Sequence, residues 1–201
     1  MFDGRLRAII DPPLDAAGRA LARRGLSADH VTLGGLALGL GCALAVCLGH
    51  DLAALVLLAA SRLFDGLDGA VARATKPSDR GGFLDIACDF LFYGAVPLAF
   101  ALREPAANAL PAAVLLFAFY VNGATFLAFA VMAAKRGLET TQRGVKSLYF
   151  TAGLAEGAET IACFAAMMLW PSSFPVLALA FAALTLVTAL GRVILAWTTF
   201  D

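Results

Sequence analysis

Apolar runs of about twenty residues, separated by short polar or proline-containing breaks, dominate the chain from residue 31 onward. A helix rises about 1.5 Å per residue, so roughly 20 apolar residues cross the hydrocarbon layer of a bilayer. Six segments reach that length, at roughly 31–50, 52–74, 82–102, 111–134, 147–169 and 174–197. The breaks are His50-Asp51, Lys76-Pro77-Ser78, Arg103-Glu104-Pro105, Lys135-Arg136-Gly137 and Pro171-Ser172. None is long enough to be a linker between domains. The pattern predicts an all-α membrane protein with six transmembrane helices. Ahead of them, Leu14, Ala17 and Leu21 share a helical face while Arg19, Arg23 and Arg24 lie elsewhere around the helix. Such a segment is expected to lie along the headgroup layer. Proline is tolerated in the first turn of a helix but not deep within one, so Pro12-Pro13 places this helix at about 13–25. The expected organisation is a cytoplasmic interfacial amphipathic segment over 1–26 and a six-helix domain over 27–201.

Composition agrees: 61% of the 201 residues are hydrophobic and 15% charged, with mean hydropathy +0.82, which excludes an ordinary soluble domain. The net charge is zero and by itself says nothing about partners; no nucleic-acid partner is expected. Its distribution is informative. Arg5, Arg7, Arg19, Arg23 and Arg24 precede the first span, Arg73, Lys76 and Arg80 flank the second break, and Lys135, Arg136, Arg143 and Lys146 flank the fourth. The positive-inside rule then places both termini in the cytoplasm of a multi-pass protein, expected in a bacterial cytoplasmic membrane. The N-terminus has no uninterrupted apolar region followed by a cleavage site, so a signal peptide is not expected. Cys42, Cys47, Cys88 and Cys163 lie in apolar stretches without metal-ligand or disulfide spacing and read as small buried hydrophobes.

The second and third predicted spans contain acids. Asp65 and Asp68 are three apart and Asp85 and Asp89 four apart, so each pair projects from one helical face. The short connection makes the two helices antiparallel neighbours, with both pairs near their cytoplasmic ends. Each carboxylate within a span costs about 2.5–3.5 kcal/mol, so four uncompensated ones cost on the order of 10 kcal/mol. Two divalent cations balance them in formal charge. All-oxygen ligands, with no His or Cys expected nearby, suit Mg²⁺ or Mn²⁺ rather than zinc. The plainer alternative pairs the acids with Arg62, Arg73 and Arg80 in a solvated vestibule. Gly66, Gly69 and Ala72 clear one flank of the second span, for a ligand or for helix packing.

The stretch Asp65-Gly-Leu-Asp68-Gly69-Ala-Val-Ala72-Arg73, followed after seven residues by Gly81-Gly-Phe-Leu-Asp85-Ile-Ala-Cys-Asp89, resembles the signature of the CDP-alcohol phosphatidyltransferases. The resemblance implies that Asp65, Asp68 and Asp85 bind one metal and Asp65, Asp85 and Asp89 a second. It implies further that Asp89 is the general base and that Gly69 and Arg73, with Ala72 and Gly81 of the same signature, hold the cytidine diphosphate. Ser78 and the segment from Asp29 to Thr32 match further nucleotide contacts. The implied donor is CDP-diacylglycerol, the product CMP and the assembly a homodimer.

The signature leaves the acceptor alcohol open. Lys135, Arg136, Arg143 and Lys146 form a basic rim suited to a phosphorylated polyol such as glycerol 3-phosphate or inositol phosphate. Asn122, Glu156, Glu159 and Arg192 are polar groups within spans and therefore functional candidates. The glutamates suit an amino-alcohol acceptor (serine, ethanolamine, choline), or a CDP-amino-alcohol donor; alternatively they pair with Arg192 and Lys146 as scaffold. The polyol phosphate is the favoured expectation. A transporter with an acidic ion path is a distant alternative, because its acids belong near the bilayer midplane rather than at one face.

Overall fold

The computed structural model describes residues 3–138 and 157–200. In chain order they form α1 (Asp3–Arg23), α2 (Ala28–Cys47), α3 (Asp51–Ala74), α4 (Asp79–Arg103), α5 (Pro105–Lys135), α6 (Gly157–Leu169), a 3₁₀ turn at Pro171–Ser173 and α7 (Phe174–Phe200). The chain divides into two compact units, residues 1–103 and 104–201.

Among the described residues, α2, α4, α5 and the segment Pro171–Phe200 are long and apolar enough to cross a membrane. Large apolar side chains on these helices face outward, including Leu44, Leu98, Leu110, Phe117 and Val176, as suits a lipid solvent. The protein is an all-α membrane protein. Of the six predicted spans, α3 has the length, at 24 residues, but carries Asp51, Arg62, Asp65, Asp68 and Arg73. The predicted span at 147–169 is described only from Gly157, as the shorter apolar helix α6.

In the first unit α2 packs along both α3 and α4, and α1 packs on α3. The core holds Cys42, Val46, Leu58, Val71, Phe92, Val96 and Phe100. Glycines set the closest approaches. A Cβ on Gly39 of α2 would lie 2.7 Å from the Phe92 ring and 3.2 Å from Ser61 Oγ. Ser61 in turn donates to the Gly35 carbonyl at 2.8 Å, tying α3 to α2. On the other flank of α3, a Cβ on Gly18 would meet the Ala70 backbone at 2.7 Å, and one on Gly66 would meet Leu14 at 2.9 Å.

Local signals explain the helix ends. Ser27 and His30 form a capping box at the start of α2, so His30 is a cap at the helix entry. Gly25 and Gly49 adopt φ of 81° and 78°. At Gly49 the pair of bonds Gly49 N–H to Val46 O and His50 N–H to Ala45 O closes α2 in a Schellman motif. The N-terminal helix differs from expectation: α1 is continuous over Asp3–Arg23, with Pro12 and Pro13 inside it. Two prolines remove two backbone donors, which breaks fewer bonds than ending the helix would.

In the second unit α5 and α7 pack along each other, with α6 against α7. Phe119 meets Phe164 and Phe181 edge-on at centroid distances of 6.2 Å each. Cys42 and Cys88 are buried, and all four cysteines are free thiols.

Gly18→Val tests the close docking of α1. Overpacking against the Ala70 backbone is expected to cost about 1–3 kcal/mol, read as a lower thermal unfolding midpoint in detergent. Gly82→Ala, also in a helix but where a Cβ meets nothing within 4 Å, should keep or raise the midpoint.

Candidate metal and nucleotide site

Helical spacing carries Asp65 and Asp68 on one face of α3 and Asp85 and Asp89 on one face of α4. Carboxylate oxygens of Asp65, Asp85 and Asp89 all lie within 4.8 Å of one another. Asp68 lies apart from that cluster but lines the same small cavity, of about 10 Å³, together with Thr32, Arg62 and Cys88. Asp68 is buried, with 7% of its surface exposed, and accepts a 2.7 Å hydrogen bond from Thr32 Oγ1. The same hydroxyl lies 3.0 Å from the Ala28 carbonyl of its own helix, a second acceptor that shares its single proton.

The donor chemistry fits a hard divalent cation. Three carboxylates from two helices converge on one point, and a fourth borders the same space. One expectation is corrected: Cys88 does line the cavity, because it sits one residue before Asp89 on α4. Its sulfur is not part of the converging cluster, which is carboxylate only.

The arginines divide in a way their sequence positions did not disclose. Arg62 Nη1 lies 3.3 Å from Asp65 Oδ1 and 3.2 Å from Asp89 Oδ1, bridging the two signature helices. Arg73 instead pairs with Asp15 of α1, at 2.8 Å and 3.2 Å. Arg80 pairs with Asp29 at the start of α2. The plainer alternative therefore holds for Arg62 alone.

Residues expected to contact the nucleotide fall into two groups. Asp29, Ser78 and Gly81 meet where α2 and α4 begin, while Thr32, one turn into α2, is engaged with Asp68: Ser78 Oγ accepts from the Gly81 N–H at 3.1 Å, and a Cβ on Gly81 would lie 3.5 Å from Asp29. Gly69, Ala72 and Arg73 follow the acids along α3. Gly66 is a packing glycine against Leu14, whereas a Cβ on Gly69 would meet only the Arg73 guanidinium, at 3.3 Å. The two uses foreseen for the small residues thus fall on different glycines.

In the second unit, Lys135 is exposed in the last turn of α5, and Arg136 donates to the Thr199 and Phe200 carbonyls at the end of α7. Arg192 donates to Asn122 Oδ1 at 2.9 Å and to Thr125 Oγ1 at 3.1 Å, so its scaffold partners include Asn122 and Thr125. It borders an apolar cavity of about 410 Å³ formed with Phe129 and Trp197. Glu159 is exposed in the first turn of α6. Arg143, Lys146 and Glu156 lie outside the described residues.

The model of the CDP-alcohol phosphatidyltransferase family matches residues 26–199, and the chain belongs to that family. It is 45% identical to the inner membrane protein YnjF of Escherichia coli (strain K12) over 193 residues, covering 96% of this chain and 94% of that protein. It is 36% identical over 88 residues to the archaetidylinositol phosphate synthase of Pyrococcus horikoshii, covering 43% of this chain and 47% of that enzyme. Its fold is similar to that of the phosphatidylinositol phosphate synthase PgsA1 of Mycobacterium tuberculosis, solved with CDP-DAG bound. The TM-score is 0.71 and the identity 23%, over 92% of this chain and 94% of that one. A second structure of PgsA1, in complex with manganese and citrate, gives the same score and identity over 92% and 89%.

Thr32→Val leaves Asp68 without its hydroxyl donor. An unsatisfied acceptor costs about 1–3 kcal/mol, so transferase turnover should fall about 5- to 150-fold if the whole cost is felt at the reacting site. Thr32→Ser, which keeps the hydroxyl, should stay close to wild type in the same assay.

Proposed function

We propose that this protein transfers the phosphatidyl group of CDP-diacylglycerol to a hydroxyl of a phosphorylated polyol and releases CMP, using two divalent cations. The observation that carries this reading is the convergence of Asp65, Asp85 and Asp89 beside the buried Asp68. Asp65, Asp68 and Asp85 would hold one ion, and Asp65, Asp85 and Asp89 the other. Bound there, Mg²⁺ or Mn²⁺ supplies charge stabilisation to the diphosphate and its leaving oxygen.

The chain's own residues do the rest. Asp29, Ser78 and Gly81 at the helix entries, with Gly69, Ala72 and Arg73 along α3, bind the cytidine diphosphate. Gly69 leaves the flank of α3 open for close approach. Arg73 adds positive charge once it exchanges Asp15 for phosphate. Asp89 accepts the proton of the acceptor hydroxyl as its oxygen attacks the phosphorus that bears the lipid. A new P–O bond forms there, the bond to the bridging oxygen breaks, and CMP departs with that bond's electron pair.

The polyol phosphate is supported by the names of relatives: archaetidylinositol phosphate synthases in two archaea and a phosphatidylinositol phosphate synthase of similar fold. Lys135 and Arg192, with Arg143 and Lys146, provide fixed positive charge for its phosphate, and Asn122 a polar contact; Arg136 is engaged with the end of α7. Glu156 and Glu159 would favour an amino-alcohol instead. Basic residues in α1 and around the α3–α4 connection support a cytoplasmic side for the termini and the aspartates. The working assembly would be a homodimer in a bacterial cytoplasmic membrane.

Purified protein with CDP-diacylglycerol and Mg²⁺ should release CMP with inositol phosphate or glycerol 3-phosphate, and not with serine, ethanolamine or choline. Release only with an amino-alcohol would reverse the acceptor assignment. Chelation by EDTA should abolish turnover, and added Mg²⁺ or Mn²⁺ should restore it. Asp89→Asn should lower turnover by at least about 100-fold, the lower end of the general-base range, while CDP-diacylglycerol still binds. An active Asp89→Asn protein would remove the base.

A further inference from the structure

We propose that Arg62 competes with the divalent cations for the signature carboxylates, so that metal loading must move its guanidinium off Asp65 and Asp89. It is a positioning residue that sets the metal concentration at which the site fills, and the proposal rests on the metal reading given above.

Arg62 lies three residues before Asp65 and therefore on the same face of α3. Its side chain reaches across to α4, where one nitrogen, Nη1, stands 3.2 Å from Asp89 Oδ1 while remaining 3.3 Å from Asp65 Oδ1. Asp65 and Asp89 are two of the three residues whose carboxylates converge within 4.8 Å. A divalent ion among those oxygens would face the guanidinium across the same two carboxylates. In a setting where Arg62 is only 19% exposed, water screens that repulsion weakly.

The rest of the environment lets the side chain move without losing its footing. Nη2 donates to Ser61 Oγ at 3.2 Å, and the guanidinium lies 4.6 Å from the centre of the Phe92 ring. Both contacts are uncharged and survive the loss of the carboxylates. Nε is buried and has no hydrogen-bond partner, so the present pose leaves one of the five donors unused. Arg62 is therefore held here chiefly by the two carboxylates that the metal also needs.

The test measures Mn²⁺ binding to the full chain in detergent, by electron paramagnetic resonance of free Mn²⁺ and without substrate. Arg62→Gln should bind Mn²⁺ about tenfold more tightly than wild type, the scale of one half-buried ion pair removed from competition. Arg62→Lys, which keeps the charge, should bind more weakly than Arg62→Gln. Arg62→Met, apolar and compatible with a span, replaces Arg62→Gln if the latter is not monodisperse. Equal or weaker binding by Arg62→Gln or Arg62→Met overturns the proposal, because Arg62 would then be supporting the ligands. Asp85→Asn is the control for the site. If wild type binds Mn²⁺ and Asp85→Asn does not, the metal reading stands whatever the Arg62 series shows. If neither wild type nor any Arg62 variant binds Mn²⁺, the metal reading falls and this proposal with it.

Discussion

Four carboxylates carried on two apolar helices have to be compensated where they stand, and the first unit is organised around that requirement. Asp68 is buried, so its oxygens need a hydrogen-bond donor, a positive side chain or a cation, and the same holds for Asp65, Asp85 and Asp89 wherever lipid rather than water borders them. The structure supplies the first two. Thr32 of α2 donates to Asp68, and Arg62 clasps Asp65 and Asp89. The third is what the convergence of Asp65, Asp85 and Asp89 provides room for. α2 is thus more than a membrane anchor, because without it the most buried acid would have no hydroxyl partner.

Close packing makes this arrangement possible. Gly35 and Gly39 let α2 approach Phe64, Ser61 and Phe92, which brings Thr32 within reach of Asp68. On the opposite flank Gly18 and Gly66 let α1 sit against α3, and Asp15 then meets Arg73. The same helix α3 is therefore gripped on two sides by small-residue contacts while its acidic face points at α4. Residues that a motif would label ligand-binding serve packing in part, and Gly66 is the case in point.

The acceptor raises a different physical question from the donor. A diphosphate can be bound by metals and by backbone approach, so its recognition is concentrated in a short signature. A polyol phosphate needs fixed positive charge instead, and basic residues at a membrane face are common for reasons of topology alone. Arg136 illustrates the ambiguity: it satisfies the carbonyls that end α7, which an α-helix leaves unpaired. Arg192 is similarly engaged, with Asn122 and Thr125, yet it borders a cavity of about 410 Å³.

Much was legible in the chain itself because it depends on local periodicity. Apolar run length specifies a helical membrane protein, and spacings of three and four put each pair of aspartates on one face. What sequence could not convey were distances between elements. Pairing Arg62 with Asp89, Arg73 with Asp15 and Arg80 with Asp29 needs three different helix contacts, which residue order does not disclose. Cys88 lines the cavity beside Asp85 and Asp89, and α1 runs through its two prolines while packing on α3. Periodicity is a property of one helix and survives in the order of residues. Partner choice is decided only when helices meet, since it turns on angstroms of approach that glycine positions permit but do not by themselves reveal.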